Sequence, residues 1–118
     1  MQPAQQSFQD IWSDQLVKRA KIDGASSGDN TLVAAVTGKK IRVLALSATM
    51  TGTAVTIRFE SGAGGTALTG QMGPTAGQTI TLPFNPVGWF ETAATQALNL
   101  FLSAGVSVDG SVTYVVVQ

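Results

Sequence analysis

The sequence predicts an all-β sandwich domain preceded by an N-terminal α-helical arm. From residue 31 to the C-terminus, apolar and polar residues alternate with a period of two, which is typical of strands with one buried face. Most of the 13 glycines fall in short turn-forming clusters that separate the alternating segments. We therefore expect the sandwich over residues 30–118 and a separate arm over residues 1–29.

The arm follows a different pattern from the rest of the chain. Four apolar side chains at helical spacing would form one face of an amphipathic helix: Phe8, Ile11, Trp12 and Leu16. Ser7 followed by Asp10 matches a capping box, and Gly24 is suited to end a helix. The pattern predicts a helix over about residues 8–21. Two interpretations of its apolar face stay open: it folds back onto the sandwich, or it becomes ordered by docking on a neighbouring subunit.

Eight segments of the second region are predicted strands: residues 31–36, 40–49, 53–60, 66–69, 78–84, 88–92, 96–104 and 110–117. About eight short antiparallel strands suit a two-sheet sandwich of the jelly-roll type, with an immunoglobulin-like sandwich as the alternative. Three alternating rows are expected to face the core, and they end at Phe59, Phe84 and Leu102.

Two features of these strands point to contacts beyond a single core. Residues 40–48 and 112–117 are apolar on both faces, which implies a second covering layer. Trp89 and Phe90 are adjacent on a predicted strand, so their side chains must point to opposite faces. One of the two therefore leaves the core of its own sheet. It lies either under a loop or at a subunit contact, where tryptophan is enriched.

Composition argues against catalysis. Only 12% of the residues are charged, about half of the roughly 25% typical of soluble domains, and 44% are hydrophobic. The formal net charge of zero provides no field that would attract nucleic acid or an anionic membrane. The lack of His and Cys removes imidazole bases, thiolates and most zinc sites. We expect no enzyme activity and no cofactor; a hydrolase would need Glu60 and Glu91 to face each other in a cleft.

Five stretches of the chain resemble small structural proteins of tailed bacteriophages: residues 28–36, 39–44, 59–70, 86–92 and 97–100. The resemblance covers about residues 28–118 and does not include the arm. This group contains capsid decoration (cement) proteins and small fibre or tail-tip modules, many of them trimeric sandwiches or jelly rolls with a binding N-terminal extension. The resemblance has no site motif, so no binding residue is carried over from it.

The resemblance implies a capsid decoration protein, made in the host cytoplasm, that stabilises the phage head from the capsid exterior. Its expected form is a homotrimer, and its expected partners are the major capsid protein, neighbouring decoration subunits or both. The alternative is a tail-fibre or tail-tip module that recognises the host surface. The residue pattern itself predicts the partner-binding side chains: Phe8, Ile11, Trp12 and Leu16 of the arm, and Trp89.

Overall fold

A computed structural model describes residues 17–51, 55–62 and 64–118, which form nine β-strands and no helix. The strands are β1 (Lys18–Gly24), β2 (Gly28–Val33), β3 (Lys40–Thr51), β4 (Ile57–Ser61), β5 (Thr66–Ala67), β6 (Thr79–Leu82), β7 (Phe90–Glu91), β8 (Leu98–Leu102) and β9 (Ser107–Val117). The predicted all-β class is therefore confirmed.

Two antiparallel sheets form the sandwich. Sheet A has the order β1-β9-β3-β6, with β7 also paired to β3, and sheet B has the order β2-β8-β4-β5. Because β9 occupies one side of β3 along its whole length, β6 and β7 share the other side as two parts of one interrupted strand. The first strand thus pairs with the last, the second with the next to last, and so on inwards to β4 and β5. This nested pairing is that of a long hairpin rolled into a jelly roll, and it differs from the immunoglobulin order.

Strand β1 corrects the predicted helix. Residues 18–21 of that helix belong to β1, which pairs antiparallel with β9, and residues 8–16 lie outside the described part of the chain. The segment Lys18–Gly24 also has a period of two, since Ile22 and Gly24 are buried while Lys21 and Asp23 are exposed. Long-range pairing with β9 decided between the two periods. The first strand of the sandwich begins at Lys18, whereas the sequence predicts that the sandwich starts at residue 30.

The core lies between the two sheets and is built from the predicted alternating rows. The row ending at Phe59 and the row ending at Leu102 are buried as expected. The prediction for the third row is wrong at its last residue, because Phe84 is 57% exposed. Pro83 precedes it and has no N–H to donate to the ladder, so β6 ends at Leu82 and the chain leaves the sheet.

Sheet A also buries apolar side chains on its outer face. Val112 and Tyr114 contact the main core, so the alternation along β9 directs Val115 and Val117 outwards. Those two valines form a separate buried cluster with Leu44, the extra residue at a bulge of β3. Adjacent strands β3 and β9 therefore bury side chains on both faces, as the sequence predicts.

Candidate functional site

The most distinctive surface element is the loop that joins β6 to β7, residues 83–89, which we call the aromatic loop. Its backbone is tied to the edge of β3 at two points. The Asn85 N–H donates to the Leu44 carbonyl at 2.8 Å, and the Trp89 N–H donates to the Val43 carbonyl at 2.8 Å. The loop is therefore held to sheet A on both sides of its turn.

The turn at the centre of the aromatic loop is organised by Asn85. Its side-chain oxygen accepts a hydrogen bond from the Val87 N–H at 3.0 Å, and its carbonyl accepts one from the Gly88 N–H at 2.9 Å. Gly88 has a φ of +98°, and a Cβ there would lie 2.6 Å from Cγ of Arg42. A side chain at this position would be strained, so the turn favours glycine here.

Three apolar side chains of the aromatic loop are exposed. Phe84 is 57% exposed, Val87 is 78% exposed and Trp89 is 42% exposed. The indole N–H of Trp89 donates to the Pro83 carbonyl at 2.8 Å, which fixes the orientation of the ring. A preordered apolar surface of this kind loses little conformational entropy when a partner covers it.

The adjacent aromatics Trp89 and Phe90 separate as predicted. Phe90 packs against the main core, where its ring stacks on Phe59 with centroids 5.6 Å apart. Trp89 leaves the core and stands beside a cavity between the sheets.

This cavity, of about 200 Å³, lies on the side of the sandwich where β6 and β7 face β4 and β5. Eight of its nine lining side chains are apolar; the lining residues are Leu46, Phe59, Leu68, Thr69, Met72, Ile80, Leu82, Trp89 and Phe90. The Thr69 hydroxyl already accepts a hydrogen bond from the Phe59 N–H at 3.1 Å. The site is therefore suited to an apolar group and offers little to orient a polar one.

The two carboxylates of the hydrolase alternative do not meet. Glu60 lies on β4 next to buried Phe59, so it points to the outer face of sheet B, where it accepts from Arg58 at 2.5 Å. Glu91 lies on the outer face of sheet A and pairs with Arg42 at 2.9 Å and with Lys40 at 3.6 Å. The carboxylates are on opposite faces of the sandwich and share no cleft.

The outer face of sheet B contains a buried polar pair. Glu60 and Asn99 lie directly opposite each other on β4 and β8, and each is about 1% exposed. Within residues 17–51, 55–62 and 64–118, no group donates a hydrogen bond to Glu60 Oε1 or to Asn99 Oδ1. Among the residues that the structure describes, no three acidic side chains come together as metal ligands. None of the described segments is a helix long and apolar enough to cross a membrane.

Of the predicted partner-binding residues, Trp89 is exposed beside the cavity. The other four lie outside the described residues: Phe8, Ile11, Trp12 and Leu16. Sequence reasoning did not find Phe84 or Val87. The two prolines that flank them, Pro83 and Pro86, were the available signal, because proline interrupts a strand and exposes the residues around it.

No protein-family model matches the sequence, and a search of curated proteins finds no match. A similar solved structure is that of Bacillus endospore appendages, described as a novel family of disulfide-linked pili. The TM-score is 0.50 at 16% identity, over 86% of this chain and 84% of the other. The similarity shows a shared fold with a structural protein of a pilus. This chain contains no cysteine, so it cannot form the disulfide links named for that neighbour.

Proposed function

We propose that this protein is a virion structural protein, a capsid decoration protein that binds the phage head from outside as a homotrimer. The observation that carries the proposal is the aromatic loop, which holds Phe84, Val87 and Trp89 exposed on a hydrogen-bonded backbone. Aromatic side chains in such a setting are common anchors of protein–protein interfaces. The similar fold of a pilus structural protein supports a role in assembly.

The proposed mechanism is mechanical. Each subunit would cover apolar surface of its neighbours, at roughly 25 cal/mol per Å² of apolar area before the entropy of association is subtracted. The low charged fraction of 12% favours such contacts, because few charges must be desolvated when the surface is covered. Many such contacts between neighbouring subunits would strengthen the capsid shell without any chemical step.

A binding assay with purified phage heads from the source of this gene tests the proposal. Trp89→Ala should weaken binding by about 30-fold, the equivalent of roughly 2 kcal/mol at an anchor residue. Val36→Ala is the matched control, since Val36 is also an exposed apolar residue, at 39%, but lies outside the aromatic loop. Equal binding by both variants, or no binding by the unaltered protein, would contradict the proposal.

Deletion of the arm tests, in the same assay, whether the arm contributes to binding of the heads. The deletion should stop at residue 16, because residues 18–24 form β1 and their loss would expose the edge of β9. The shortened protein should keep its β-sheet circular dichroism and lose attachment to heads. Unchanged occupancy of the heads would show that the arm is not a binding element.

A tail-fibre or tail-tip module is the second proposal, and the position of the aromatic loop favours it. The loop follows β6, at the edge of sheet A opposite to β1, to which the C-terminal end of the arm is joined. It is thus free to face a host surface while the arm is attached to the tail. Fluorescently labelled protein that bound host cells and ignored heads would support this second role over the first.

A further inference from the structure

The edge of sheet A at β6 is unpaired and contains no charge. Among the strands that the structure describes, β6 pairs with β3 alone. Proteins commonly place charged residues on sheet edges, which prevents pairing between molecules. The edge at β1 follows this rule with Lys18, Arg19, Lys21 and Asp23. Residues 61–90, which include β6, contain no Asp, Glu, Lys or Arg, so the edge at β6 lacks this protection.

The unpaired backbone groups of β6 belong to Thr79 and Thr81. The Met50 N–H donates to the Gln78 carbonyl at 3.0 Å. Because residues that bond to the same neighbour alternate along an antiparallel strand, Ile80 also directs its N–H and carbonyl towards β3. Thr79 and Thr81 therefore direct their N–H and carbonyl groups away from sheet A. These groups are available to a strand that lies alongside β6.

The side chains of β6 leave the core incompletely covered at the same edge. Ile80 and Leu82 point towards the core, since their partners on β3 are buried, but both are only partly buried themselves. They line the cavity beside Trp89, which is open to solvent. A strand added to β6 would therefore supply backbone partners and would also bring apolar side chains to the open side of the cavity.

A second copy of β6 fits this edge in one register. If two copies pair antiparallel with Ile80 opposite Ile80, each Thr79 faces a Thr81 and all of their free backbone groups are paired. A pair centred on Thr79 would need Gly77, whose N–H already donates to β3. A pair centred on Thr81 would need Pro83, which has no N–H to donate. The chain therefore carries a strand that is complementary to its own free edge.

The absence of charge is what such a contact requires. A two-fold contact brings the same surface of two copies together, so charged residues at this edge would be repelled by their own counterparts. Residues 61–90 contain none. The apolar side chains also match, because Ile80 of each copy would lie beside Ile80 of the other on the core side of the joined sheet.

We infer that β6 is a dimerisation edge, which pairs antiparallel with β6 of a second copy about a two-fold axis at Ile80. The A sheets of the two copies then form one continuous sheet, and each copy covers part of the other's open cavity. This inference goes beyond the proposed function, because a two-fold contact does not itself build a trimer. On a shell it would connect one decoration trimer to the next.

Disulfide formation tests the register, since the chain has no cysteine of its own. In the inferred pair, the Cα atoms of the two Ile80 residues lie about 4.5 Å apart, which a disulfide can span. An Ile80→Cys chain should therefore form a covalent dimer on mild air oxidation. Leu82→Cys is the matched control, because Leu82 has the same face and partial burial. Two copies of Leu82 would be about 14 Å apart, so the yield should be at least tenfold lower.

Two exposed positions repeat the test without altering the core. Thr79 and Thr81 are both exposed, and each faces the other type in the inferred register. A mixture of Thr79→Cys and Thr81→Cys chains should therefore form mixed disulfide dimers. Either chain alone should give less dimer than the mixture, because two identical positions lie further apart along the paired strands.

A proline variant tests the backbone hydrogen bonds between the copies. In the Ile80→Cys chain, adding Thr81→Pro should lower the dimer yield at least tenfold, because it removes an N–H that points away from β3. Thr81→Val retains that N–H and should leave the yield unchanged. Circular dichroism should show the same β-sheet content for both variants, since neither loses a bond to β3.

Three results would overturn the inference. The first is an equal dimer yield from Ile80→Cys and Leu82→Cys chains, and the second is a yield that Thr81→Pro does not lower. The third is a dimer that forms only when Ile80→Cys chains are mixed with Ala20→Cys chains, which would make β1 of the second copy the partner strand.

The same variants separate this inference from the proposed function. If the cysteine chains give no specific dimer while the unaltered protein binds phage heads, the inference is wrong and the proposed function stands. If the specific dimer forms while the unaltered protein ignores heads, the proposed function is wrong and the dimerisation edge stands.

Discussion

Replacing Phe59 with alanine tests whether the two faces of sheet B are assigned correctly. Phe59 is 1% exposed, and its ring stacks on Phe90 with centroids 5.6 Å apart. Phe-to-Ala changes in a core cost about 3–5 kcal/mol, from lost transfer energy and from the void that remains. The ring is almost fully buried, so the loss should fall within that range. A domain of this size is stable by about 5–15 kcal/mol, so the variant should still fold.

Urea unfolding followed by circular dichroism provides the measurement, and Phe101→Ala provides the matched control. Phe101 lies on β8 opposite Arg58, whose guanidinium carbon is 4.3 Å from the ring centroid on the outer face. Its loss should cost about 1–2 kcal/mol, from a half-buried ring and a cation–π contact. If both variants lost the same stability, or Phe101→Ala lost more, the assignment of faces would be refuted.

Three further predictions concern particular contacts. Gly110→Ala should cost about 1–3 kcal/mol or more, because its Cβ would lie 1.8 Å from the Ser47 carbonyl, whereas Gly70→Ala should stay within about 0.5 kcal/mol; urea midpoints measure both. Glu60→Gln should cost about 1–3 kcal/mol, since it removes a buried charge that binds Arg58, and thermal unfolding of the variant measures this. Glu91→Gln should cost less than about 1 kcal/mol and progressively less with added salt, because that carboxylate is 34% exposed.

The sequence was informative where local alternation encodes a face. The segments ending at Phe59 and Leu102 alternate strictly, and burial follows that pattern. It was misleading at Lys18–Gly24, where a short segment is compatible with both the helical and the strand period. Only pairing with β9, about 90 residues away in the chain, decides between the two, and no local signal reports a contact of that range.

The candidate site was predictable only in part. Adjacent Trp89 and Phe90 had to separate, and one exposed aromatic followed from that geometry. The cavity did not follow, since Leu46, Phe59 and Leu82 come from three strands that are brought together by the nested pairing. The jelly-roll order itself depends on which distant strands pair, and alternation within each strand does not specify its partner.

An electron-microscopy map of the phage head at side-chain resolution is the most direct measurement of the central claim, that companion subunits cover this protein's apolar surface. We predict the sandwich on the capsid exterior, with the ring of Trp89 and the residues of the aromatic loop buried against a neighbouring subunit. A head that lacks this chain, or a bound chain whose aromatic loop faces only solvent, would contradict the claim.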